Sequence, residues 1–483
     1  MDTRISFQLR ISRRARVGLT VAAFIAVSLL SGCGSKDATL PATSDLTAEN
    51  LESQSELITT STELNPGTGS VKLHSSNQFR DPSRPPVGKP VTVRDKRRLG
   101  EDVQYRPYPS EPQLSDSLVV GLDADMTSAS AESGEAIRRG LELALEEINR
   151  SGGLLGKPVE LIVRDHRGNP DRGLGNLAAF AEVPNLLGVF GGIHTPVAIR
   201  ELEFIHENNI LYLVPWAAGT PIVDNGHSPN YVFRVSVRDQ YAGGFLVGRA
   251  VKRGATKIGL LLERTSWGRS NEKAMKSALA NEGLLPVGEE WFNWGERNLR
   301  PQVNRFAELG CDAVLLVCNP LEGVKAVEAV AALPKEIRPA IFSHWGISGG
   351  DFFQSIKPYS SEVDLSFLQT FSFVTPRYPG RVASLTQAYL QRYEDCQHPE
   401  DIFAPVGTIH AYELMQMVAQ AVRATQSADS VRLVQGLEAI RNYSGIIRDY
   451  AEPFPVNHHD ALDASDFILV RYNARGVVVP LQE

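Results

Sequence analysis

The fold of this chain is decided by residues 117–165, SLVVGLDADMTSASAESGEAIRRGLELALEEINRSGGLLGKPVELIVRD. The short apolar run SLVVGL is typical of a buried strand. From Ala136 the apolar residues recur at helical spacing, which predicts an amphipathic helix with one buried stripe: Ile137, Leu141, Ala144, Leu145 and Ile148. Gly152 and Gly153 end this helix, and VELIVRD is the next strand. A strand, a helix and a second strand in this order predict a parallel sheet with helices on its faces.

The loop after the first strand, Asp123–Ser133, is the first candidate for ligand contact. Ligands of such sheets bind beyond the carboxyl ends of the strands. Ser128–Ser133 consists of small residues apart from Glu132, and it holds no aromatic side chain that would cover a ligand. The stretch therefore defines the fold better than it defines the ligand.

The composition is that of an ordinary globular protein with more than one domain. The chain has 483 residues, of which 42% are hydrophobic and 22% charged, and this length predicts two or three domains. The net charge of −7 gives no reason to expect a nucleic-acid partner. Cys311 and Cys318 bracket a predicted strand about 23 Å long, which exceeds the disulfide reach of about 7 Å. No cysteine or histidine spacing indicates a metal site, and no cofactor is predicted.

Residues 1–32 are predicted to be an export signal. Arginines precede an apolar core, Val17–Leu30, which as a helix would rise about 21 Å, short of a bilayer of roughly 30 Å. The segment ends Leu30-Ser31-Gly32-Cys33, which resembles the bacterial lipobox. That resemblance implies cleavage before Cys33 and lipidation of its thiol. An uncleaved membrane anchor with an incidental cysteine is the alternative.

Residues 33–116 are predicted to be a lipid-anchored disordered linker. They are rich in Ser, Thr, Pro and Asn and show no sustained period, so they bury too little apolar surface to become ordered. As a flexible coil of roughly 80 residues, the linker would have a root-mean-square reach of about 50 Å.

From Ser117 onward, strands and helices alternate, and the alternation restarts halfway along. The strand Val232–Val237 leads into a helix, and a new series of strands begins at Lys257–Glu263. The last third is predicted to hold three helices and a strand: Gly380–Tyr393, Ala404–Ala424, Ser430–Arg441 and Phe467–Tyr472. We therefore predict an α/β fold made of two doubly wound parallel-sheet lobes.

The residues that follow the first loop resemble a known family. The matching residues are SGEAIRRG at Ser133–Gly140, then Leu143-Ala144, Glu147-Ile148-Asn149, Gly152-Gly153 and Gly156. This order is similar to the opening segment of type I periplasmic solute-binding proteins of ABC transporters, in the branched-chain amino acid and amide class. Val189–Gly192 and Ile210–Pro215 fit the third and fourth strands of that family. The resemblance extends from about Ser117 to the C-terminus and is clearest in the first lobe.

The resemblance implies a two-lobed clamp in the cell envelope, facing the periplasm or the cell exterior. Three crossovers would join the lobes, near Val235–Asp239, Phe373–Tyr378 and Asp449–Val456. Lobe 1 would hold residues 117–238 and 376–450, and lobe 2 would hold residues 239–375 and 451–483. A small polar ligand, such as an amino acid, an amide or a related organic acid, would bind between the lobes. Hinge closure would then present it to an ABC permease, and no enzymatic step is implied.

In the first lobe, the binding positions of the family fall on two loops. Thr195 follows the third strand, where the family carries a hydroxyl for the ligand carboxylate, at a helix N-terminus whose free amides suit an anion. A helix N-cap is the alternative role for this residue. Trp216, Ala217 and Ala218 stand in the loop after the fourth strand, which in the family supplies backbone amides.

In the second lobe, Trp267 stands at the position of an aromatic that covers the ligand, and Asn319 stands at a strand end facing the cleft. The acidic residue that holds an ammonium group in amino acid binders falls near Trp345 and Gly346, and it is absent from this sequence. This departure disfavours an α-amino acid. With Trp216, the two indoles would instead suit an amide, an aromatic acid or a cationic group.

Two further patterns have simpler interpretations. Trp291 and Trp294 are assigned to the core of the second lobe. The run His458-His459-Asp460 is interpreted as a loop rather than a metal cluster, because adjacent side chains of an extended segment point to opposite faces.

An α/β-hydrolase is a remote alternative function. Gly346–Gly350 matches G-x-S-x-G between a strand and a predicted helix, with Ser348 as the nucleophile and Asp364 and His410 downstream. The repeated lobe and the opening signature have no place in that fold. A ligand sensor or an interaction lipoprotein that uses the same clamp is the nearer alternative, and the sequence does not separate it from transport.

Overall fold

The computed structural model describes residues 116–481. The predicted export signal 1–32, Cys33 and the linker up to residue 115 lie outside the described residues, so the interpretations made of them stay predictions.

A five-stranded parallel sheet forms the first lobe, in the order β2-β1-β3-β4-β5. The strands are β1 Leu118–Ala124, β2 Val159–Asp165, β3 Leu186–Gly191, β4 Tyr212–Val214 and β5 Val232–Arg234. β5 ends three residues before the predicted Val237, because the chain turns there toward the second lobe.

The helices of the first lobe are α1 Ala131–Arg150, α2 Pro170–Ala181, α3 Thr195–Glu207 and the short α4 Thr220–Val223. The predicted apolar stripe of α1 is buried in full. Gly140 lies where a later helix, Pro405–Thr425, crosses α1. A Cβ at this position would lie 2.2 Å from the carbonyl oxygen of Thr408, so a glycine is required for the close approach.

The second lobe continues the alternation. Its helices are α5 Asp239–Lys252, α6 Ser266–Asn281, α7 Arg300–Glu308, α8 Pro320–Ala331 and α9 Phe352–Ile356. Its first five strands are β6 Ile258–Glu263, β7 Gly288–Phe292, β8 Ala313–Val317, β9 Ala340–Ser343 and β10 Leu365–Gln369. Strand β10 is not among the predicted elements.

The chain then returns to the first lobe and crosses back once more. The returning elements are α10 Pro379–Arg392, α11 Pro405–Thr425, α12 Ser430–Glu438, β11 Tyr443–Ser444 and β12 Asp449–Tyr450. The last two strands, β13 Ile468–Tyr472 and β14 Val478–Pro480, join the second sheet antiparallel. That sheet has the order β14-β13-β10-β9-β8-β6-β7.

These elements confirm the predicted fold class of two doubly wound parallel-sheet lobes. The chain passes between the lobes after β5, after β10 and before β13. No helix within residues 116–481 combines the length and the apolar character that crossing a membrane requires.

The segment that follows the third predicted passage still contacts the first sheet. Asp460 forms a parallel bridge with Arg234 of β5, so the chain still runs beside the first sheet ten residues after the predicted boundary at 450/451. The carboxylate of Asp460 forms buried ion pairs with Arg234 and Arg238, which hold the segment there. His459 contacts the carbonyl oxygen of Val232, in agreement with the loop interpretation of this run. The exact lobe boundaries stay a prediction.

Candidate ligand-binding cleft

The carboxyl ends of the two parallel sheets face each other, and two indoles meet between them. Trp216 follows β4 of the first lobe, and Trp345 follows β9 of the second. Their ring centroids are 5.3 Å apart, and the residues are only 5% and 1% exposed. The two predicted site residues therefore contact each other and form a closed apolar floor, which we call the indole floor.

His410 of α11 supports the indole floor from below. Its ring centroid lies 5.7 Å from that of Trp345, and its nitrogens contact the carbonyl oxygen of Pro215 at 3.0 Å and Oγ1 of Thr370 at 2.9 Å. Burial lowers the pKa of His410 to about 4, so the imidazole is neutral at pH 7. The indole floor thus lies near the passage of the chain that follows β10, since Thr370 stands directly after that strand.

Trp267 and Gly346 are brought together in the second lobe. A Cβ at Gly346 would lie 2.5 Å from the ring of Trp267 and 2.3 Å from the carbonyl oxygen of Cys318, so the indole rests directly on backbone. The indole N–H of Trp267 donates to Oδ1 of Asp239 at 3.2 Å. This bond fixes the ring at the start of α5, the first helix after the crossover.

The first-lobe loop residues are engaged within their own lobe. Oγ1 of Thr195 accepts a hydrogen bond from the amide of Gly219 at 3.1 Å, and Thr195 does not cap its helix, since His194 occupies the N-cap position. The amide of Ala217 donates to the carbonyl oxygen of Gly192 at 2.6 Å. The carbonyl oxygen of Ala218 accepts from the amide of Asp239 at 2.8 Å. Thr195 therefore braces the loop that the sequence assigned to ligand binding.

Asn319 follows β8 and points at an acidic residue. Its amide donates to Oε2 of Glu263 at 2.7 Å, while the hydroxyl of Thr265 donates to Oε1 at 2.8 Å. Burial raises the pKa of Glu263 to about 7, and the nearby charge of Glu322 acts in the same direction. The sequence analysis did not identify Glu263 as a site residue.

A second contact between the lobes lies at His194, away from the indole floor. The ring of His194 meets that of Trp294 edge-on, with centroids 4.8 Å apart, and meets that of His166 at 5.6 Å. The assignment of Trp294 to the core of the second lobe is therefore wrong. This residue follows β7 at the carboxyl edge of its sheet, and the strand end directs it toward the other lobe.

Asp125 and His166 complete the first-lobe side of this contact. Asp125 accepts hydrogen bonds from the amides of Ser128 at 2.8 Å and Ser130 at 3.0 Å, and lies 3.5 Å from Nε2 of His194. Burial alone would raise the pKa of Asp125, but the contacts with His194 and Ser128 lower it well below its usual range. The carboxylate is therefore ionised.

His166 is a buried neutral imidazole. Its Nδ1 accepts a hydrogen bond from the amide of Gly168 at 2.9 Å, so Nε2 carries the proton and is left without a hydrogen-bond acceptor. Burial and the neighbouring His194 lower the pKa of His166 to about 3. Asp125, His166 and His194 each follow a strand of the first sheet, so the strand-end rule applied to every strand would have found them.

Glu322 faces this cluster from the second lobe. It lies in the first turn of α8 and is 1% exposed. Its Oε1 accepts a hydrogen bond from the amide of Gly295 at 2.6 Å, and its Oε2 is buried without a hydrogen-bond donor. Burial raises the pKa of Glu322, and the charge of His194 across the interface opposes this.

The three groups of the hydrolase alternative have separate partners. The hydroxyl of Ser348 donates to the carbonyl oxygen of Trp345 at 2.6 Å. Both nitrogens of His410 are engaged below the indole floor, and Asp364 pairs with Arg253 at 2.8 Å on the surface. These residues do not assemble into a triad.

Comparisons with known proteins agree with this architecture. The sequence profile of the periplasmic binding protein family matches residues 117–460. The Leu/Ile/Val-binding protein homolog 3 of Brucella melitensis is 25% identical over 198 residues, which is 41% of this chain and 53% of that protein. The chain thus spans about half the length of the first curated relatives it matches.

Solved structures share the fold. The periplasmic binding protein type 1 from Bordetella pertussis has a TM-score of 0.69 and 19% identity, over 76% of this chain and 100% of that chain. A solute-binding protein of an ABC transporter from R. palustris, in complex with benzoate, has a TM-score of 0.64 and 18% identity, over 76% and 95% of the two chains. At such identities the likeness establishes the fold and leaves the ligand of this chain open.

Proposed function

The chain belongs to the periplasmic binding protein family, and we propose that it is an extracytoplasmic solute-binding lipoprotein that delivers a small polar ligand to an ABC permease. The ligand would be an amino acid, an amide or a related organic acid. The observation that carries the proposal is the meeting of both sheets at their carboxyl ends, with side chains of the two lobes in contact across the cleft. Three passages of the chain provide the hinge that such a clamp needs.

We propose that the ligand binds between the indole floor and the walls formed by the predicted residues. Trp267 and Gly346 form one wall, and the loop braced by Thr195 forms the other. Trp216 and Trp345 touch in the closed arrangement, so entry of a ligand requires the lobes to part at this contact. Ala217, Ala218 and Asn319 would shape the walls, since their bonds with Gly192, Asp239 and Glu263 hold them in place.

Trp267→Ala is expected to weaken ligand binding at least tenfold, because the indole is the large apolar surface of the second-lobe wall. The measurement is a thermal-shift screen of the full chain against amino acids, amides and aromatic acids, followed by titration of the hit. A true ligand at about 100 times its dissociation constant adds roughly 2.7 kcal/mol to the free energy of unfolding. Trp291→Ala is the matched control, because Trp291 stacks under Arg269 instead of lining the cleft. Unchanged affinity in the Trp267 variant would remove this residue from the site.

We further propose that lipid on Cys33 anchors the protein to the membrane. Cys33→Ser is expected to abolish incorporation of a labelled fatty acid into the protein, because the thiol that would carry the acyl chain is absent. Immunoprecipitation after growth with the labelled fatty acid measures this loss. Cys396→Ser, at a buried cysteine of the first lobe, is the control and should leave the labelling unchanged. A Cys33 variant that is labelled like the wild type would refute the anchor.

A sensor or interaction lipoprotein is the second candidate function. The specific observation in its favour is the indole floor itself, since a cleft whose centre is filled by its own side chains suits a clamp that works without a ligand. A broad panel of amino acids, amides and aromatic acids that gives no thermal stabilisation would favour this candidate over transport.

A further inference from the structure

We propose that the part of the cleft around Glu263, Glu322 and Trp294 is a subsite for a cationic nitrogen group, an ammonium or amidinium, carried by the ligand. The inference rests on the proposed solute-binding function and names the chemical class that the site selects. It differs from the amino acid binder arrangement, in which an acid near position 345 would hold the ammonium group, because Glu263 ends β6 while Trp294 and Glu322 follow β7 and β8.

Glu322 carries a carboxylate oxygen that is not used as an acceptor within residues 116–481. Glu322 is almost completely buried, yet only its Oε1 has a donor, the amide of Gly295. Among residues 116–481, its Oε2 is buried with no hydrogen-bond partner. The charge of His194, which belongs to the other lobe, lowers the pKa of this carboxyl and so opposes the effect of burial. Burying a carboxylate oxygen without a hydrogen-bond donor costs free energy. A ligand N–H that donates to this oxygen removes that cost.

Several carboxyl groups lie in this part of the cleft. The charge of Glu322 raises the pKa of Glu263, and Asp125, an ionised group of the first lobe, lies 3.5 Å from Nε2 of His194. Within residues 116–481, neither Glu263 nor Glu322 forms an ion pair with a lysine or arginine. The charge of His194, from the other lobe, acts on Glu322. A cation from the ligand would supply the missing counter-charge.

The indole of Trp294 provides an aromatic face in the same part of the cleft. Trp294 leads directly into Gly295, whose amide binds Glu322, so the indole and the free carboxylate oxygen belong to one corner of the cleft. A cation within about 6 Å of an indole face is attracted by the ring quadrupole. In the first lobe, Nε2–H of His166 is a buried donor with no hydrogen-bond acceptor among the described residues. It suits a carbonyl or carboxylate on the same ligand.

Protonation provides a signature that an uncharged ligand does not produce. Burial raises the pKa of Glu263 to about 7, so this carboxyl is partly protonated at neutral pH, and burial also raises the pKa of Glu322. A bound cation favours the ionised forms, so its binding releases protons to the buffer. Binding of an anion at the same place would take protons up.

The test uses three planar molecules of the same size with different charges: benzamidine, benzamide and benzoate. Isothermal titration of the full chain at pH 7, in two buffers of different ionisation enthalpy, gives the affinity and the number of protons released. We expect benzamidine to bind at least tenfold more tightly than benzamide, with proton release, and benzoate to bind most weakly. Glu322→Gln keeps the acceptor for Gly295 and is expected to lower benzamidine affinity at least tenfold.

The controls separate this inference from the general function. Glu328→Gln lies on the same helix, paired with Lys325 at the surface, and should leave benzamidine binding unchanged. Glu263→Gln is the second variant if Glu322→Gln does not fold, with the same expected loss. Benzoate binding more tightly than benzamidine, or equal benzamidine affinity in the wild type and both glutamine variants, overturns the cationic subsite. If other solutes of the panel bind and benzamidine does not, the cationic subsite is overturned and the solute-binding function stands. If no solute binds, both the subsite and the solute-binding function are overturned.

Discussion

Asp460→Asn is expected to lower the free energy of unfolding by about 3–5 kcal/mol, the usual cost of removing one partner of a buried ion pair. The side chains of Asp460 and Arg234 are both 0% exposed, and Arg238 contacts the same carboxylate at 2.9 Å. Burial alone would raise the pKa of Asp460, but the charges of Arg234 and Arg238 lower it, so the carboxylate is ionised in the folded protein. The asparagine variant leaves the guanidinium of Arg234 buried without a counter-charge.

The same substitution is expected to disturb the cleft. Arg234 also donates to the carbonyl oxygens of Ala217 at 3.2 Å and Gly219 at 2.9 Å, in the loop that Thr195 braces. Asp460 thus links the last crossover to a wall of the cleft through one arginine. A variant that still folds should therefore bind ligand more weakly than the wild type, although Asp460 does not line the cleft.

Urea unfolding of the two proteins at pH 7 measures the loss of stability. Asp364→Asn is the matched control, because it removes the carboxylate of a half-exposed pair with Arg253, whose contribution should be about 0–1 kcal/mol. Equal losses in the two variants would mean that the buried pair has no greater role than a surface pair.

The second large effect is a loss of stability at alkaline pH that arises from Asp123 and Glu201. Burial raises the pKa of Glu201 to about 7 and that of Asp123 to about 10, the latter also through the neighbouring Glu201. Oδ2 of Asp123 and Oε1 of Glu201 are buried without other partners, and both lie within about 3.3 Å of the position that a Cβ on Gly173 would take. The two oxygens are therefore suited to share one carboxyl proton.

The sign follows from the direction of these shifts. A carboxyl group whose pKa is raised by folding holds its proton more tightly in the folded state. Its contribution to stability is complete below its ordinary pKa of 4.5 and is lost as the pH rises through about 7 for Glu201. The loss amounts to about 3 kcal/mol for this residue, at about 1.4 kcal/mol per pKa unit. Asp123 extends the loss toward pH 10.

Urea unfolding at pH 5, 7 and 9 tests this expectation. Glu201→Gln should flatten the fall between pH 5 and pH 9, because glutamine has no proton to release. Asp171→Asn, at an exposed position of α2, should keep the wild-type slope. A Glu201 variant with the wild-type pH dependence would show that this pair does not titrate in the range.

The fold was predictable because its elements carry their own local signals. The apolar stripe of Ile137, Leu141 and Ile148 predicts α1, and Gly152 and Gly153 predict its end, which the structure places at Arg150. The restart at Lys257–Glu263 gives the second lobe in the same way. Strand β10 was not predicted, although β13 of the same length was. The contact at Asp460 was not predicted because an ion pair between residues 226 positions apart has no local pattern.

The sequence predicted which residues of the candidate site follow strands, but not which of them are in contact. Trp216 and Trp345 lie after β4 and β9, as the sequence indicates, but only the packing of the lobes shows that the two indoles touch. Trp294 was assigned to the lobe core and Glu322 was not identified, because His194 lies on the other lobe, 100 and 128 residues earlier in the chain.

The sequence by itself therefore determined the two lobes, their parallel sheets and the family, since periodicity and turn residues act over a few positions. Only the tertiary structure decided which side chains of the two lobes face each other and which polar atoms stay unpaired. The physical reason is that burial and charge at the cleft depend on the distance between two separately folded sheets, and no local pattern of residues encodes that distance.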